Sequence, residues 1–273
     1  MTDDEASSDS LRILFLGDIF GEPGRKAAID LLPVLKDRFR VDFTIVNGEN
    51  AAGGRGITGK IAISLLRAGA SVITLGDHAW DQAEIVEYMA TEPRLLRPLN
   101  YPEGAPGHGW VVLETPRGKI GVISAQGRVF MGQALDNPFN AILPVIDAIR
   151  RETPVIFVDF HCEATSEKIA FGRWLDGKVS AVVGTHTHVQ TADEMVFPGG
   201  TAYLTDAGMC GPVHSVIGSD IPPILHRFST NLPTRNHVAR GDVQIRGCVV
   251  EIDPATGRAL GIQRVAEIVK IPC

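Results

Sequence analysis

The stretch VIFVDFHCEATSEK, residues 155–168, decides the fold class. It opens with an apolar, β-rich run at 155–158, passes through a polar loop and leads into a helical pattern at 167–175. An apolar run without alternating polar residues is typical of a strand that is buried on both faces of a sheet. A strand, a polar loop and a helix therefore form the unit from which we expect the domain to be built.

The same unit recurs along the chain. We expect strands at residues 13–16, 43–46, 72–75, 155–158 and 181–183. We expect helices at residues 26–39, 61–68, 83–89, 141–149 and 167–175, with Thr58 capping the second and Thr165 the last. At residues 110–124 and 243–269 we expect hairpin-like strands without helices. This order predicts an α/β fold with a two-sheet core, one sheet mixed and the other more antiparallel.

Length and composition favour an ordinary globular domain. The chain has 273 residues, of which 44% are hydrophobic and 21% charged, and this usage excludes disordered and fibrous classes. No apolar run approaches the roughly 18 residues of a spanning helix, so we expect no membrane insertion. We interpret residues 1–10 as a disordered acidic tail and residues 11–273 as a single domain.

Charge and cysteine usage restrict the partners and the compartment. The 26 basic and 32 acidic residues give a formal net charge of −6, which disfavours binding of long nucleic acids by their phosphates. The cysteines lie far apart and form no CxxC pair, and the N-terminal segment is unlike a secretory signal. We therefore expect reduced thiols and a cytoplasmic location. The four cysteines are Cys162, Cys210, Cys248 and Cys273.

Each of the five apolar runs ends in a polar residue with a carboxylate, amide or imidazole side chain. The run ends read LFLGD, IVNGEN, ITLGDH, IFVDFH and VVGTHTH. In open α/β sheets ligands bind at the carboxyl ends of the strands, so these side chains should converge at one edge. The residues are Asp18, Glu49, Asn50, Asp77, His78, His161, His186 and His188.

These residue types indicate a metal site. A mixed nitrogen and oxygen set suits manganese, iron or zinc rather than calcium. About seven ligands are too many for one tetrahedral ion, and they suit two metals about 3.5–4 Å apart that share a carboxylate and a hydroxide. His186 and His188 are two residues apart, so in an extended segment both rings would point to one side.

Each residue also has a plainer interpretation. The carboxylates could be turn formers and helix caps, with Asp77 capping a helix toward Trp80 and Asp81. The strand histidines could be partly buried core residues, and His78 could simply pack against Trp80. Taken singly these alternatives are reasonable, but a series of five run ends with the same chemistry favours the metal site.

Five motifs identify a resemblance to a known family. GD-x-x-G, NGEN, G-x-HxWD, DFHxEATSEK and GTHTHVQTAD resemble the YmdB-like branch of the calcineurin-like metallophosphoesterase superfamily, from about residue 11 to the C-terminus. The resemblance implies a four-layer αββα sandwich of two mixed β-sheets flanked by helices. It also implies a binuclear site with two metal ions, iron being favoured and manganese or another divalent ion the alternative.

Carried over residue by residue, the resemblance assigns two ligand sets and one proton donor. The first metal would be held by Asp18, Glu49, Asn50 and His188. Glu49 would bridge to the second metal, which Asp77, His161 and His186 complete. His78 would stand behind the ligands and donate to a phosphate oxygen or to the leaving alkoxide.

Two positions depart from the family pattern. Phe20 stands where the superfamily usually has a histidine, and the YmdB-like branch shares this departure. Asp77 stands where the branch carries asparagine. The additional negative charge at Asp77 leaves the ligand geometry intact but bears on metal preference and rate.

The implied activity is hydrolysis of cyclic nucleotides, including 2′,3′-cyclic ones and with 3′,5′-cyclic ones as further candidates, by attack of a metal-bridging hydroxide on phosphorus. A phosphomonoesterase or nuclease could use the same metals. A regulatory protein that binds a nucleotide or a ribonuclease is the alternative from another class. The expected partner is a small nucleotide or phosphodiester substrate, and the resemblance is compatible with a homo-oligomer.

Other motifs give weaker evidence of function. GRGITGK at 54–60 fits a P-loop spacing, but Ile61 stands where Mg²⁺ binding needs Ser or Thr. We interpret the segment as a flexible rim of the metal site, with Arg55 placed to meet substrate. Cys162 should point away from His161 and pack in the core. The remaining histidines, His108, His214, His226 and His237, are interpreted as surface or structural residues, with His214 the one of interest.

Overall fold

The computed structural model describes residues 10–270 of the chain. The predicted tail therefore lies outside the described residues, apart from Ser10. Ser10 is buried, and its hydroxyl donates a hydrogen bond to the Glu251 carboxylate.

The described chain alternates strands and helices before ending in a long hairpin. The helices are α1 (Gly21–Arg38), α2 (Gly59–Arg67), α3 (Ile85–Met89), α4 (Pro138–Arg150), α5 (Thr165–Trp174) and α6 (Ile221–Thr230). The first seven strands are β1 (Leu11–Leu16), β2 (Asp18–Ile19), β3 (Phe43–Asn47), β4 (Val72–Thr74), β5 (Leu95–Leu96), β6 (Trp110–Thr115) and β7 (Gly118–Gln126). The others are β8 (Ile156–His161), β9 (Ala181–Thr185), β10 (Met195–Val196), β11 (Ala202–Leu204), β12 (Met209–Pro212), β13 (Val243–Ile252) and β14 (Ala259–Val269).

The first sheet has the strand order β2-β12-β13-β1-β3-β4-β5, with β14 paired to β13. Strands β1, β3, β4 and β5 run parallel, so their carboxyl ends meet at one edge. Strand β13 is antiparallel to both β1 and β14. The predicted hairpin at 243–269 therefore extends a parallel sheet and makes it mixed.

The second sheet has the order β10-β11-β9-β8-β7-β6. Strands β7, β8, β9 and β11 are parallel, while the outer strands β6 and β10 are antiparallel to their neighbours. The expectation of one more antiparallel sheet is wrong, because the two predicted hairpins fall in different sheets. Both sheets are mixed.

The two sheets pack face to face between two helical layers. A central core joins them, with the rings of Phe15 and Phe157 at 5.2 Å between centroids. A second core lies between the first sheet and helices α1 and α2, and a third between the second sheet and helices α4 and α5. The predicted four-layer αββα sandwich of two mixed sheets is confirmed.

The two helix caps predicted from the sequence are partly correct. Thr58 caps α2, since its hydroxyl accepts from the backbone N–H of Ile61 at 3.3 Å. The prediction that Thr165 is a cap is wrong: α5 starts at that residue, Ala164 is the N-cap position, and no side chain caps the helix. Among residues 10–270, no helix is both long and apolar enough to cross a membrane.

Candidate active site

A cleft of about 560 Å³ lies at the carboxyl ends of the parallel strands. Its floor contains Glu49, Asn50, His186 and His188, which all come from loops directly after β3 and β9. The strands of both sheets thus deliver their polar end residues to one place, as the run ends predicted.

A compact cluster of four side chains forms the centre of the site. One ligand atom from each of Glu49, Asp77, His161 and His186 lies within 4.8 Å of the others. His161 Nε2 is 2.9 Å from Asp77 Oδ1, 3.2 Å from Glu49 Oε2 and 2.9 Å from His186 Nδ1. These are the four residues predicted for the second metal, including the bridging Glu49.

Buried hydrogen bonds orient the His161 ring. Asp159 accepts from the hydroxyl of Thr185 at 2.7 Å and from the amide of Asn47 at 3.0 Å. Because the Thr185 hydroxyl gives its proton to Asp159, its oxygen accepts from His161 Nδ1, 2.9 Å away. The chain from Asp159 through Thr185 therefore directs the Nε2 atom of His161 toward the cluster, as carboxylate-linked partners do for metal-binding histidines.

The histidines after β9 reach the site by left-handed turns. Strand β9 ends at Thr185, and His186 and His188 have φ values of 101° and 65°. The expectation that an extended segment turns both rings to one side is wrong. His186 Nδ1 faces His161, while its Nε2 lies 3.2 Å from the carboxylate of Glu163. Glu163 thus favours the tautomer that leaves Nδ1 free toward the cluster.

His188 and Asn50 lie on the other side of Glu49. His188 Nδ1 donates to the carbonyl of Ile217 at 2.9 Å, which leaves Nε2 as the acceptor atom. The amide nitrogen of Asn50 lies 2.9 Å from Glu49 Oε1 and 3.2 Å from His188 Nε2. For Asn50 to serve as a ligand at that place, its amide would have to turn so that the oxygen replaces the nitrogen.

Asp18 brings a buried carboxylate with one free oxygen. Its Oδ2 accepts from the backbone N–H of His186 at 3.1 Å, whereas Oδ1 is buried without a hydrogen-bond partner. His161 Nδ1 is 3.9 Å from that Oδ1 atom. Burial raises the pKa of Asp18 to about 8, although His161 opposes the shift.

The electrostatics of the cluster fit a cation. Burial disfavours the charged form of His161, yet Glu49 and Asp77 raise its pKa well above the usual value. Burial likewise acts against the charged forms of Glu49 and Asp77, but His161 leaves both of their pKa values lowered. An orphaned carboxylate oxygen, two facing imidazole nitrogens and two further carboxylates form a donor set that suits a metal ion.

His78 lies beside the cluster with both ring nitrogens near carboxylates. Its Nδ1 is 3.0 Å from Asp81 Oδ2, and its Nε2 is 3.8 Å from Asp77 Oδ2. Asp81 also accepts from Arg55 Nε at 2.8 Å. Arg55 lines the cleft, but its side chain is 69% exposed and its guanidinium is held by Asp81.

Gly76 lets the Asp77 loop approach the buried side chains of His161 and Glu49. A Cβ atom at Gly76 would overlap with the ring of His161 and with Oε2 of Glu49. The loop after β4 therefore requires glycine at the position before Asp77.

Sequence reasoning missed several supporting residues. The buried pair of Lys168 and Asp206, 2.6 Å apart, holds the loop between the two histidines, because Asp206 Oδ2 also accepts from the Thr187 backbone N–H at 3.1 Å. Glu163 and Lys168 stand within the quoted DFHCEATSEK motif, so the motif contained a signal for them. Cys162 is buried, its thiol donates to Glu167 at 3.2 Å, and burial raises its pKa, which agrees with a packing role.

The remaining histidines divide between cleft and surface. His237 was interpreted as a surface or structural residue, yet it lines the cleft. His214 is exposed and does not line the cleft. His108 lines a separate cavity beside β6.

Comparison with known families identifies the relationship. The profile of the YmdB-like protein family matches residues 14–265. This chain belongs to the YmdB-like family. The resemblance inferred from the five motifs is confirmed.

Relatives of this YmdB-like protein are phosphoesterases by name or have the same fold. It is 49% identical over 255 residues to the 2′,3′-cyclic-nucleotide 2′-phosphodiesterase of Bacillus subtilis (strain 168), covering 93% of this chain and 96% of that one. A phosphatase of Mycoplasma pneumoniae superposes with a TM-score of 0.90 at 34% identity, covering 96% and 95% of the two chains. A hypothetical protein from Thermus thermophilus superposes with a TM-score of 0.88 at 39% identity, covering 94% and 99%.

These comparisons confirm the enzyme class. The YmdB-like chain is a hydrolase of the phosphodiesterase class, with a cluster of residues that could hold a metal ion. Its fold is that of metallophosphoesterases.

Proposed function

We propose that this YmdB-like protein hydrolyses cyclic nucleotides with two metal ions, and that 2′,3′-cyclic nucleotides are its main substrates. The observation that carries the proposal is the cluster of Glu49, Asp77, His161 and His186, of which Glu49 and His186 line the cleft. The name of the Bacillus subtilis relative supports the substrate class. The cleft volume of about 560 Å³ lies within the range of small-molecule sites.

Two ligand sets share Glu49 in this proposal. One ion would be held by Asp77, His161 and His186, and the other by Asp18, Asn50 and His188. The free Oδ1 atom of Asp18 supports the second set, since a buried carboxylate oxygen without a partner is costly. When bound, two such ions, iron or manganese, offset the charge of the phosphoryl oxygens and lower the pKa of a water molecule.

The chain itself supplies the proton for the leaving oxygen. His78 is bound through Nδ1 to Asp81, so its Nε2 is left to face the cleft beside Asp77. As a hydroxide, formed from water that has released a proton to solvent, adds to phosphorus, the P–O2′ bond breaks and protonated His78 delivers the proton on Nε2 to O2′. The product of this step is a nucleoside 3′-phosphate. Solvent then returns a proton to His78.

Purified protein should be tested with 2′,3′-cyclic AMP, 3′,5′-cyclic AMP and a phosphomonoester, with metal content measured beside activity. We expect hydrolysis of the 2′,3′-cyclic substrate, its loss after chelation and its return with manganese or iron. Glu49→Gln should abolish turnover because it removes the shared ligand.

The matched control is Glu114→Gln, which changes an exposed carboxylate on β6 that is 75% exposed and far along the chain from the ligands. Glu114→Gln should have the activity and the metal content of the natural protein. A preparation that is fully active with at most one ion per chain would contradict the binuclear proposal. Preference for the phosphomonoester would instead identify a phosphatase that uses the same cluster.

A further inference from the structure

A strained turn lines the cleft directly beside His188, one of the proposed metal ligands. Val216 and Ser219 exchange backbone hydrogen bonds of 2.9 and 3.0 Å, so residues Ile217 and Gly218 form a two-residue hairpin turn. Their φ values are 46° and 101°, the pattern of a type I′ turn. Such turns prefer Asn-Gly, because both central residues are left-handed and a β-branched side chain is strained there.

The backbone of Ile217 has an identified task, but its side chain does not. The Ile217 carbonyl accepts from His188 Nδ1 at 2.9 Å. Any residue in this turn could supply that carbonyl, and asparagine or glycine would do so with less strain. The Ile217 side chain lines the cleft and is 54% exposed. A strained, exposed apolar side chain at a site is an observation from which function can be inferred.

Ile217 belongs to a rigid apolar wall of the cleft, formed with Phe20 and Val238. The Phe20 ring is held against Gly54 and Gly218, where a Cβ atom would overlap with it. Val238 lies against Gly21 in the same way. The backbone N–H of Ala239 donates to Gly218 at 2.9 Å, so the two segments of the apolar wall are tied together.

Two polar side chains stand beside the apolar wall. Asn236 and His237 line the cleft and are exposed. An amide and an imidazole together offer hydrogen-bond donors and acceptors. The cleft is therefore lined by proposed metal ligands and, next to His188, by an apolar surface with polar groups beside it. Binding of a phosphate alone would not need the apolar surface.

We propose that the apolar wall binds the nucleobase of the substrate, with Ile217 and Val238 against its face and Asn236 and His237 at its polar edge. The inference rests on the proposed function and deepens it, since it places the base as well as the phosphate. Ile217 is retained in a strained turn because its side chain contacts the base.

The test compares a nucleotide with a substrate that lacks the base. In the metal-loaded protein, kcat/KM is measured for 2′,3′-cyclic AMP and for glycerol 1,2-cyclic phosphate. Ile217→Gly and Ile217→Asn should each lower the ratio of the first value to the second by roughly 10-fold, through KM, as expected for lost apolar contact. Both should also raise the midpoint of thermal unfolding, because strain is removed.

Arg40→Gly is the matched control. Arg40 is exposed, also left-handed with φ 50°, and follows α1, away from the cleft. Its replacement should raise the unfolding midpoint but leave the substrate ratio unchanged. An unchanged ratio in the Ile217 variants would overturn the inference. Equal loss on both substrates would also overturn it, since Ile217 would then act through His188.

A binding measurement separates this inference from the proposed function. Binding of adenosine 3′-phosphate and of inorganic phosphate to the metal-loaded protein is compared by calorimetry. Failure of the natural protein to hydrolyse 2′,3′-cyclic AMP would contradict the proposed function alone. The apolar wall is still tested, because Ile217→Gly should weaken binding of the nucleotide relative to phosphate. Equal weakening, or none, would overturn it.

Discussion

At His161, a proton and a metal ion compete for one atom. Nε2 lies within 3.2 Å of Glu49, Asp77 and His186, and Nδ1 is committed to Thr185. Burial favours the neutral ring, but the carboxylates raise its pKa well above the usual value, so without a metal Nε2 keeps a proton. Metal binding must displace that proton. As a proposed ligand, His161 should therefore bind a metal ion less tightly as the pH falls.

His78 should behave differently from the ligands. Replacing Glu49 by Gln or His161 by Ala should lower metal content and rate together, because ligand number sets affinity. His78→Ala should leave the metal content unchanged and slow turnover by roughly 10²–10⁴-fold, the usual range for acid–base help. Metal analysis and kcat on the three variants provide the measurement. Equal metal loss in all three would remove the acid role of His78.

Asp77 makes the site less positive than asparagine would. Its Oδ1 lies 2.9 Å from His161 Nε2 and 3.3 Å from His186 Nδ1. Asp77→Asn removes one negative charge beside the proposed ions, so metal retention should weaken. A more positive site also lowers the pKa of bound water further, so the rising limb of the pH–rate profile should move to lower pH.

The alternative interpretation of Asp77 as a helix cap is wrong. The next helix, α3, begins at Ile85 with Glu84 at the N-cap position, and Asp77 Oδ1 faces His161 instead. Metal content and pH profile are measured on the natural protein and on Asp77→Asn, and no change in either quantity would contradict a ligand role for Asp77.

At the scale of elements, the strand ends could be predicted because their signal is local. Apolar runs without alternation identify the buried strands, and parallel strands present their carboxyl ends at one edge. The five runs correspond to β1, β3, β4, β8 and β9, and their end residues meet in the cleft or the cluster behind it. The periodicity also located five of the helices to within a few residues, apart from the early start of α1 at Gly21.

The features that the sequence did not predict depend on contacts between residues that are distant in sequence. The left-handed turns at His186 and His188 are stabilised by Asp206 and by the Ile217 carbonyl, which no local pattern indicates. Helix α6 was not predicted, and its Leu225 and Phe228 are exposed, so it carries no strong signal of a buried face. His237 enters the cleft through a loop whose course is set by pairing with the turn at Gly218.

The loop after β4 offers a test of this element-level geometry. Gly76→Ala places a methyl group against His161 and Glu49, so one of the two must move. We expect loss of bound metal and of activity in a protein that remains folded. Gly261→Ala is the control, because a Cβ atom there meets nothing within 4 Å. Metal content, activity and circular dichroism are measured together, and a folded Gly76→Ala protein with normal metal content would contradict the close approach.

At the scale of the whole molecule, the site lies where the two sheets meet. The first sheet supplies the carboxylates: Asp18 begins β2, and Glu49 and Asp77 lie on the loops after β3 and β4. The second sheet supplies the imidazoles, His161 from β8 and His186 and His188 after β9. Ions held between these sets would connect the two sheets, so metal binding should stabilise the fold as well as the site.

Asp18 and His161 determine how the stability of the metal-free protein changes with pH. Burial raises the pKa of Asp18 to about 8, and the carboxylates around His161 raise its pKa despite burial. In the metal-free protein Asp18 holds a proton that the unfolded chain releases near pH 3.8, and His161 holds one that the unfolded chain releases near pH 6.5, so stability falls as pH rises from about 4 to about 8. Glu49 and Asp77, with lowered pKa values, act in the opposite sense, and their contribution is lost only as the pH falls into the acid range.

If Asp18 and His161 are metal ligands as proposed, a metal ion would replace these protons, and the stabilisation it brings should grow with pH. The difference in thermal unfolding midpoint between Mn²⁺-saturated and chelated protein should be larger at about pH 8 than at about pH 6. Asp18→Asn is the control: without the carboxyl group, the chelated protein should lose less stability as the pH rises. The metal increment in that variant should also be smaller, because one ligand is weakened. An increment in the natural protein that is equal at both values, or larger at the lower one, would mean that the buried Asp18 and His161 do not hold protons in place of the metal.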